Sequence, residues 1–210
     1  PVEIAVIADS MSRFPTITTD ATGNPIVAYM KFNNAFLESR WVVTKSMNYG
    51  TSFMTDVKAS GYSGVNAQVC DCCPGAIVSS GNKTVMLYRD NLSNIRDIWT
   101  GLSTNNSTSF PTGFAVDNNN WMIMACPSSG PDGVIIGDTV YSTFMSGGIG
   151  STLCYLSKSS ISNGAVNTVS NLTGSMPGLS QNFPRIASSG NATAIVWVQT
   201  LNGTTLLPIL

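Results

Sequence analysis

Four of the five cysteines fall at two places in the chain, Cys70-Asp71-Cys72-Cys73-Pro74 and Cys126-Pro127, and the arginines include two followed directly by aspartate, Arg89-Asp90 and Arg96-Asp97. Grouped thiols can form disulfides, ligate a soft metal or attack an electrophile. Guanidinium groups grip carboxylates through paired hydrogen bonds, and carboxylates move protons. Histidine is absent, which removes Ser-His-Asp and Cys-His catalysis, His-ligated metals and histidine pH switching. Any chemistry must therefore run on carboxylates, tyrosine, arginine or cysteine. Ten basic and eleven acidic residues give a net charge of −1, and only 10% of residues are charged. A polyanion-binding surface, and with it a nucleic-acid partner, is not expected.

The elements that must hold these groups are strands. Helical periodicity is hard to find, whereas short β-branched and aromatic runs punctuated by Gly, Asn, Ser and Pro recur from end to end. Apolar runs such as Ile195-Val196-Trp197-Val198 are far shorter than the roughly 20 residues of a membrane-spanning helix. Surface solubility rests on neutral Ser, Thr and Asn, as in secreted or cell-surface β proteins. The class is all-β, and 210 residues suffice for one domain with a real core.

One pattern comes round four times: a proline beside a short strand, a small polar turn, a strongly apolar strand, a variable loop and a third strand. It starts at Pro15, Pro74, Pro131 and Pro184. The second strands are Ile26-Val27-Ala28-Tyr29, Val85-Met86-Leu87-Tyr88, Val140-Tyr141-Ser142-Thr143 and Ala194-Ile195-Val196-Trp197. A period of about 55 residues with three or four strands per unit is the signature of propeller blades. The units span approximately 13–58, 72–116, 129–170 and 182–210. Each small sheet must stack on its neighbours around an axis, so the core is predicted to lie between blades, with Tyr29, Tyr88 and Trp197 packing there.

At the end of the third strand, Ser46-Met47-Asn48-Tyr49-Gly50-Thr51-Ser52-Phe53 and Ser103-Thr104-Asn105-Asn106-Ser107-Thr108-Ser109-Phe110 resemble the Asp-box turn, Ser-x-Asp-x-Gly-x-x-aromatic, with Asn for the Asp in both and Ser for the Gly in the second. Ser157-Lys158-Ser159-Ser160 occupies the equivalent place without matching. The series Cys70-Asp71-Cys72-Cys73-Pro74, Tyr88-Arg89-Asp90, Arg96-Asp97, Trp121 and Cys126-Pro127 is similar to that of a group of bacterial sialidase-like repeat proteins. The resemblance runs from about Arg13 to Val198 and implies a β-propeller. Sialidase-type propellers have six blades, so four repeats imply a partial ring. The alternative is a closed four-bladed ring, with residues 2–8 as the outer strand of the fourth blade.

In such a ring the turns after the first and third strands share one side, and the second-to-third loops and inter-blade connections share the other. Arg13, Cys70, Cys72, Cys73, Cys126 and Arg185 fall in inter-blade connections, and Arg89, Asp90, Arg96 and Asp97 in the second blade's loop. That face is the candidate binding face. Arg13-Phe14-Pro15 sits where sialidases carry Arg-Ile-Pro, whose arginine helps grip a substrate carboxylate, so the resemblance implies a clamp drawn from Arg13, Arg89, Arg96 and Arg185, with Arg40 also near the mouth. The competing reading has Arg89-Asp90 and Arg96-Asp97 pairing among themselves to hold a loop. For an acid/base pair the chain offers Glu38, Asp90 and Asp97, but no Tyr-Glu pair of the sialidase kind.

For the cysteines, Cys126 is expected to bridge one of Cys70, Cys72 and Cys73, foremost Cys70, with Cys72-Cys73 closing as a vicinal pair. A metal site ranks below this because adjacent cysteines chelate poorly. Cys154, inside an apolar strand, reads as a buried free thiol, and a catalytic cysteine is disfavoured because no histidine or lysine cluster is near in sequence. Trp121-Met122-Ile123-Met124 reads as an outer strand or a hydrophobic lip, with the strand preferred. No cofactor is expected. Two functions follow: a non-catalytic, extracellular glycan- or protein-binding propeller in a larger surface or secretion assembly, or a sialidase-type glycoside hydrolase.

Overall fold

The computed structural model describes Glu3 and residues 10–210. Apart from Glu3, the 2–8 segment considered as a closing strand lies outside the described residues. The chain forms four antiparallel sheets in sequence order, each a blade. Blade 1 holds β1 (Ser10–Thr19), β2 (Pro25–Asn33), β3 (Arg40–Lys45) and β4 (Val57–Lys58). The two-residue β5 (Gln68–Val69) leads into blade 2, with β6 (Ala76–Ser80), β7 (Lys83–Asn91) and β8 (Ile98–Ser103). Its outer edge is made only by single bridges of Thr112 to Leu102 and Ala115 to Trp99. Blade 3 comprises β9 (Asp132–Ile136), β10 (Thr139–Ser146), β11 (Leu153–Ser160) and β12 (Val166–Asn171), and blade 4 comprises β13 (Leu179–Ser189), β14 (Ala192–Leu201) and β15 (Thr204–Leu206). The first strands of successive blades stand side by side, β1 by β6, β6 by β9 and β9 by β13, which defines the axis. The molecule is an all-β propeller of four blades among the described residues.

The core lies between the blades, as the repeat requires, although Tyr29, expected there, packs instead with Val27, Val42 and Phe53 of its own blade. Ile26, Met30, Phe32 and Trp41 of blade 1 bury against Ile77, Met86 and Tyr88 of blade 2. Val85, Leu87 and Ile98 meet Val140, Phe144 and Leu153 of blade 3. Met145 and Cys154 meet Ile186, Ile195 and Trp197 of blade 4. Middle strands are therefore buried on both faces, which explains their unbroken apolar runs. Blade 4 departs from this: Ile195 and Trp197 face blade 3, while Val196, Leu206, Leu207 and Ile209 are 41–78% exposed.

Two of the innermost strands share one irregularity. β1 pairs Arg13 with Met30 and then Thr16 with Ala28, so one extra residue bulges out at Phe14-Pro15. β13 does the same at Phe183-Pro184, between Asn182 and Arg185. Phe14 and Phe183 take left-handed φ values of 54° and 52°, uncommon for a bulky residue, while proline suits a bulge because it has no N–H to pair. In blade 2 the interruption is larger. Val69 of β5 pairs with Asp90 and Ala76 of β6 with Leu87, so residues 70–75 loop out of one broken inner strand. The Cys-x-Cys-Cys segment is thus an enlarged version of the bulge beside Pro15 and Pro184.

Two turns after third strands share one hydrogen-bond pattern. The Asn48 side-chain oxygen accepts from the Ser52 N–H at 2.9 Å and Ser46 Oγ from the Gly50 N–H at 2.8 Å. Asn105 and Ser103 repeat this with Ser109 and Ser107. An asparagine oxygen serves the turn as an aspartate oxygen would. Four sequence expectations are corrected. Arg13 and Arg185 stand within the inner strands β1 and β13, not in the connections between blades. Ser157–Ser160 stay within β11, the turn coming after them. Trp121–Met124 form no strand, only a bridge from Met122 to Ile95, so they make a lip on which Met122 and Met124 are exposed. Arg89 and Asp90 are not loop residues but the end of β7, with the Asp90 N–H bonded to the Asp97 carbonyl at 2.9 Å.

Candidate functional site

The guanidinium groups on this face divide into those turned inward and those left open. Arg89 is 1% exposed, and its three nitrogens donate to the carbonyls of Ser129, Arg96 and Met145 at 3.0, 2.6 and 2.6 Å. The Trp121 ring covers its carbon at 5.2 Å. Arg89 thereby ties blade 2 to blade 3 and has no free edge for a substrate carboxylate. Arg96 is also buried, and its Nε and Nη1 meet no acceptor. Neither arginine forms an ion pair with Asp90 or Asp97, which overturns the mutual-pairing reading. Arg13 donates to the Asp71 carbonyl at 3.4 Å and lies over the rings of Phe32 and Phe36 at 5.5 and 5.2 Å.

Of the carboxylates proposed for catalysis, Asp90 and Asp97 are buried in hydrogen bonds that hold the fold, and Glu38 stands exposed. Asp97 accepts the N–H groups of Trp121 and Asn120 at 3.0 and 3.1 Å and so anchors the lip. Asp90 accepts from Ser63 at 2.5 Å and is pushed up to about 6 by burial. Burial likewise raises Asp97. Glu38 is exposed and, with Arg40, Lys58, Asn66 and Gln68, lines a cavity of about 310 Å³ at the rim between blades 1 and 2. Asp117, unremarked in the sequence, is buried near Asp97 and Arg89 and is pushed up to about 7 by burial and then by the Asp97 charge.

A second cavity, of about 280 Å³, lies where the inner strands meet. Pro15, Thr16, Pro74, Gly75, Ala76, Pro131, Asp132 and Arg185 line it. Thr16, Gly75, Asp132 and Arg185 each directly follow a repeat proline, so every blade contributes the same sequence position of its repeat. That position offers a hydroxyl, a bare backbone, a carboxylate and a guanidinium. Asp132 accepts the Gly133 and Ile186 N–H groups at 2.9 and 3.1 Å, and burial raises its pKa. Among the described residues, Arg185 donates only to the neighbouring Pro184 carbonyl, at 3.2 Å. Of the arginines proposed as ligands, Arg185 alone lines this cavity. Asp132 was missed, although aligning the four prolines would have found it.

The cysteines converge beside the cavity's Pro74 wall. Cys126 bonds Cys72 rather than Cys70, joining two inter-blade connections. The vicinal Cys72-Cys73 pairing is excluded by the same bond. Cys70 and Cys73 are buried free thiols with their Sγ atoms 2.8 Å apart, and Cys70 Sγ lies 3.5 Å from Cys72 Sγ. The sulfurs of Cys70, Cys72 and Cys73 lie within 4.8 Å of one another. With Cys72 held in the disulfide, they offer two thiols, fewer than a structural zinc site needs. Gly130 passes so close to this loop that a Cβ on it would come 1.9 Å from the Pro74 carbonyl oxygen. Cys154 is fully buried, and burial pushes its thiol up to about 12.

No family model matches the sequence, and no curated protein matches it. Solved structures do match in fold. A protein of unknown function from Dyadobacter fermentans superposes with a TM-score of 0.63 at 6% identity, over 91% of this chain and 50% of that one. The α-L-arabinanase of Penicillium chrysogenum gives 0.58 at 10% identity, over 94% and 61%. Trypanosoma rangeli sialidase gives 0.55 at 13%, over 93% and 37%. The chain thus spans about half the length of these structures. At such identities the likeness is one of fold: the chain has a sialidase-like propeller fold, similar to that of propeller glycosidases.

Proposed function

We propose that this chain is a ligand-binding propeller that holds a polar, sugar-like molecule in the axial cavity without cleaving it. The observation that carries the reading is the ring of Thr16, Asp132 and Arg185 around that cavity. A guanidinium and a carboxylate with free lone pairs suit the hydroxyl and carboxylate groups of a glycan. Against cleavage stand the placements of Asp90 and Asp97, engaged in holding strands and lip, and of Glu38 on a different cavity. Extracellular placement, at a bacterial surface or in a secretion assembly, agrees with the Cys72–Cys126 disulfide. The exposed apolar side of blade 4 supports further blades that complete a larger ring.

A sialidase-type hydrolase is the second reading. It is favoured by the raised pKa of Asp132, which would suit a proton donor, and by the glycosidase folds. Screening the purified protein against immobilised glycans and fluorogenic sialosides separates the two. Binding without turnover, weakened roughly tenfold in Arg185→Ala, is expected. Sialoside turnover lost in Asp132→Asn would replace the first reading by the second.

A further inference from the structure

The buried thiols and the surface disulfide stand in an arrangement that the binding reading does not use. Cys70 and Cys73 are buried, Cys72 is half-buried, and Cys126 is exposed beside the Met122/Met124 lip. Cys70 Sγ therefore touches both a thiol partner on its inner side, Cys73 at 2.8 Å, and a disulfide sulfur on its outer side, Cys72 at 3.5 Å. The buried Arg96 guanidinium, with two nitrogens lacking acceptors among the described residues, acts on Cys70 through its charge. A buried cation of this kind favours an anion close by.

We propose that these four cysteines form a thiol–disulfide exchange site, able to move a disulfide from the surface pair Cys72/Cys126 to the buried pair Cys70/Cys73. In the first step the Cys70 thiolate attacks Cys72 Sγ. The Cys70–Cys72 bond forms as the Cys72–Cys126 bond breaks, and the electron pair leaves on Cys126. The Ser128 hydroxyl, 3.1 Å from Cys126 Sγ, can donate to that leaving thiolate. In the second step Cys73, having released its proton to solvent, attacks Cys70. The Cys70–Cys73 bond forms, and Cys72 leaves as a thiolate and takes up a proton. The proton that Cys70 gives to solvent on forming its thiolate is matched by one that the Cys126 thiolate takes up, so two thiols and one disulfide enter, two thiols and one disulfide leave, and no external oxidant is required. The product is an accessible dithiol, and the substrate class is a partner's disulfide.

The electrostatics support the first step. The Cys73 S–H hydrogen bond, then the Arg96 charge, outweigh burial and hold the Cys70 thiol below its ordinary range, while the same bond and burial push Cys73 up. One proton is thus kept on Cys73, and Cys70 is the nucleophile. Sequence reasoning disfavoured a reactive cysteine for want of histidine or lysine, but the fold supplies arginine instead.

The test uses the purified protein without reductant, held at neutral pH with N-ethylmaleimide and mapped by mass spectrometry without reduction. Slow labelling of Cys126 is expected, in molecules that carry a bond from Cys70 to Cys72 or to Cys73. Cys70→Ser and Cys70→Ala should each lower Cys126 labelling roughly tenfold, with Cys154→Ser matching the unaltered protein. Wild-type protein that keeps Cys72–Cys126 intact with Cys126 unlabelled would overturn the proposal, whatever the variants do. Equal labelling in the Cys70 variants would do the same, as would protein isolated with four reduced cysteines around one zinc ion.

Discussion

Asp117 shows how burial, rather than a partner, sets the behaviour of a residue. Its carboxyl sits 2% exposed, with one oxygen taking the Asn119 N–H and the other unpartnered. Its ordinary value of 3.8 rises to about 7. Between those values the native state holds a proton that the unfolded chain has released, so stability falls as pH rises through this window. The linkage amounts to at most about 4 kcal/mol. Asp90, raised to about 6, acts in the same direction. Asp20 acts oppositely: Lys45 at 2.8 Å and the Asn24 and Thr22 N–H groups outweigh burial and hold it well below the usual range, so its contribution is lost only in acid below that range. Melting temperatures should therefore fall from about pH 5 to pH 7, and the slope should flatten in Asp117→Asn. An unchanged slope in that variant would show that Asp117 is already charged in the native state.

At the scale of elements, the middle strands were legible because burial on both faces leaves runs of apolar residues that no surface strand shows. The inner strands were legible only as far as their prolines. A bulge is a matter of register, and Arg13-Phe14-Pro15 gives no sign that Phe14 must take a left-handed φ. The cysteine pairing was hidden for the same reason. Which of Cys70, Cys72 and Cys73 faces Cys126 depends on how residues 70–75 loop out between β5 and β6. The arginines misled because a guanidinium on a candidate face can turn inward: Arg89 takes three backbone carbonyls, a role that leaves no mark in the sequence.

For the whole molecule, the repeat predicted the core between blades, and with it the meeting of two distant cysteine segments that the Cys72–Cys126 disulfide joins. The side of blade 4 turned away from blade 3 keeps Val196, Leu206, Leu207 and Ile209 in water, where each gives up part of the roughly 1.5–3 kcal/mol that full burial of such a side chain provides. The larger ring proposed above makes a definite claim about size. The intact protein purified from its source should have a mass well above the 22.1 kDa of this chain and hold further propeller repeats. A source protein of 22.1 kDa that stays monomeric in solution would contradict it.

The central claim is that the residue after each repeat proline meets its counterparts around one cavity and that this ring holds the ligand. A double-mutant cycle on Asp132→Asn and Arg185→Ala, read by calorimetry with a glycan that the protein binds, addresses it most directly. The two losses should couple, their sum differing from the loss in the double variant by at least about 0.5 kcal/mol. Affinity untouched by either substitution would place the ligand elsewhere and contradict the account.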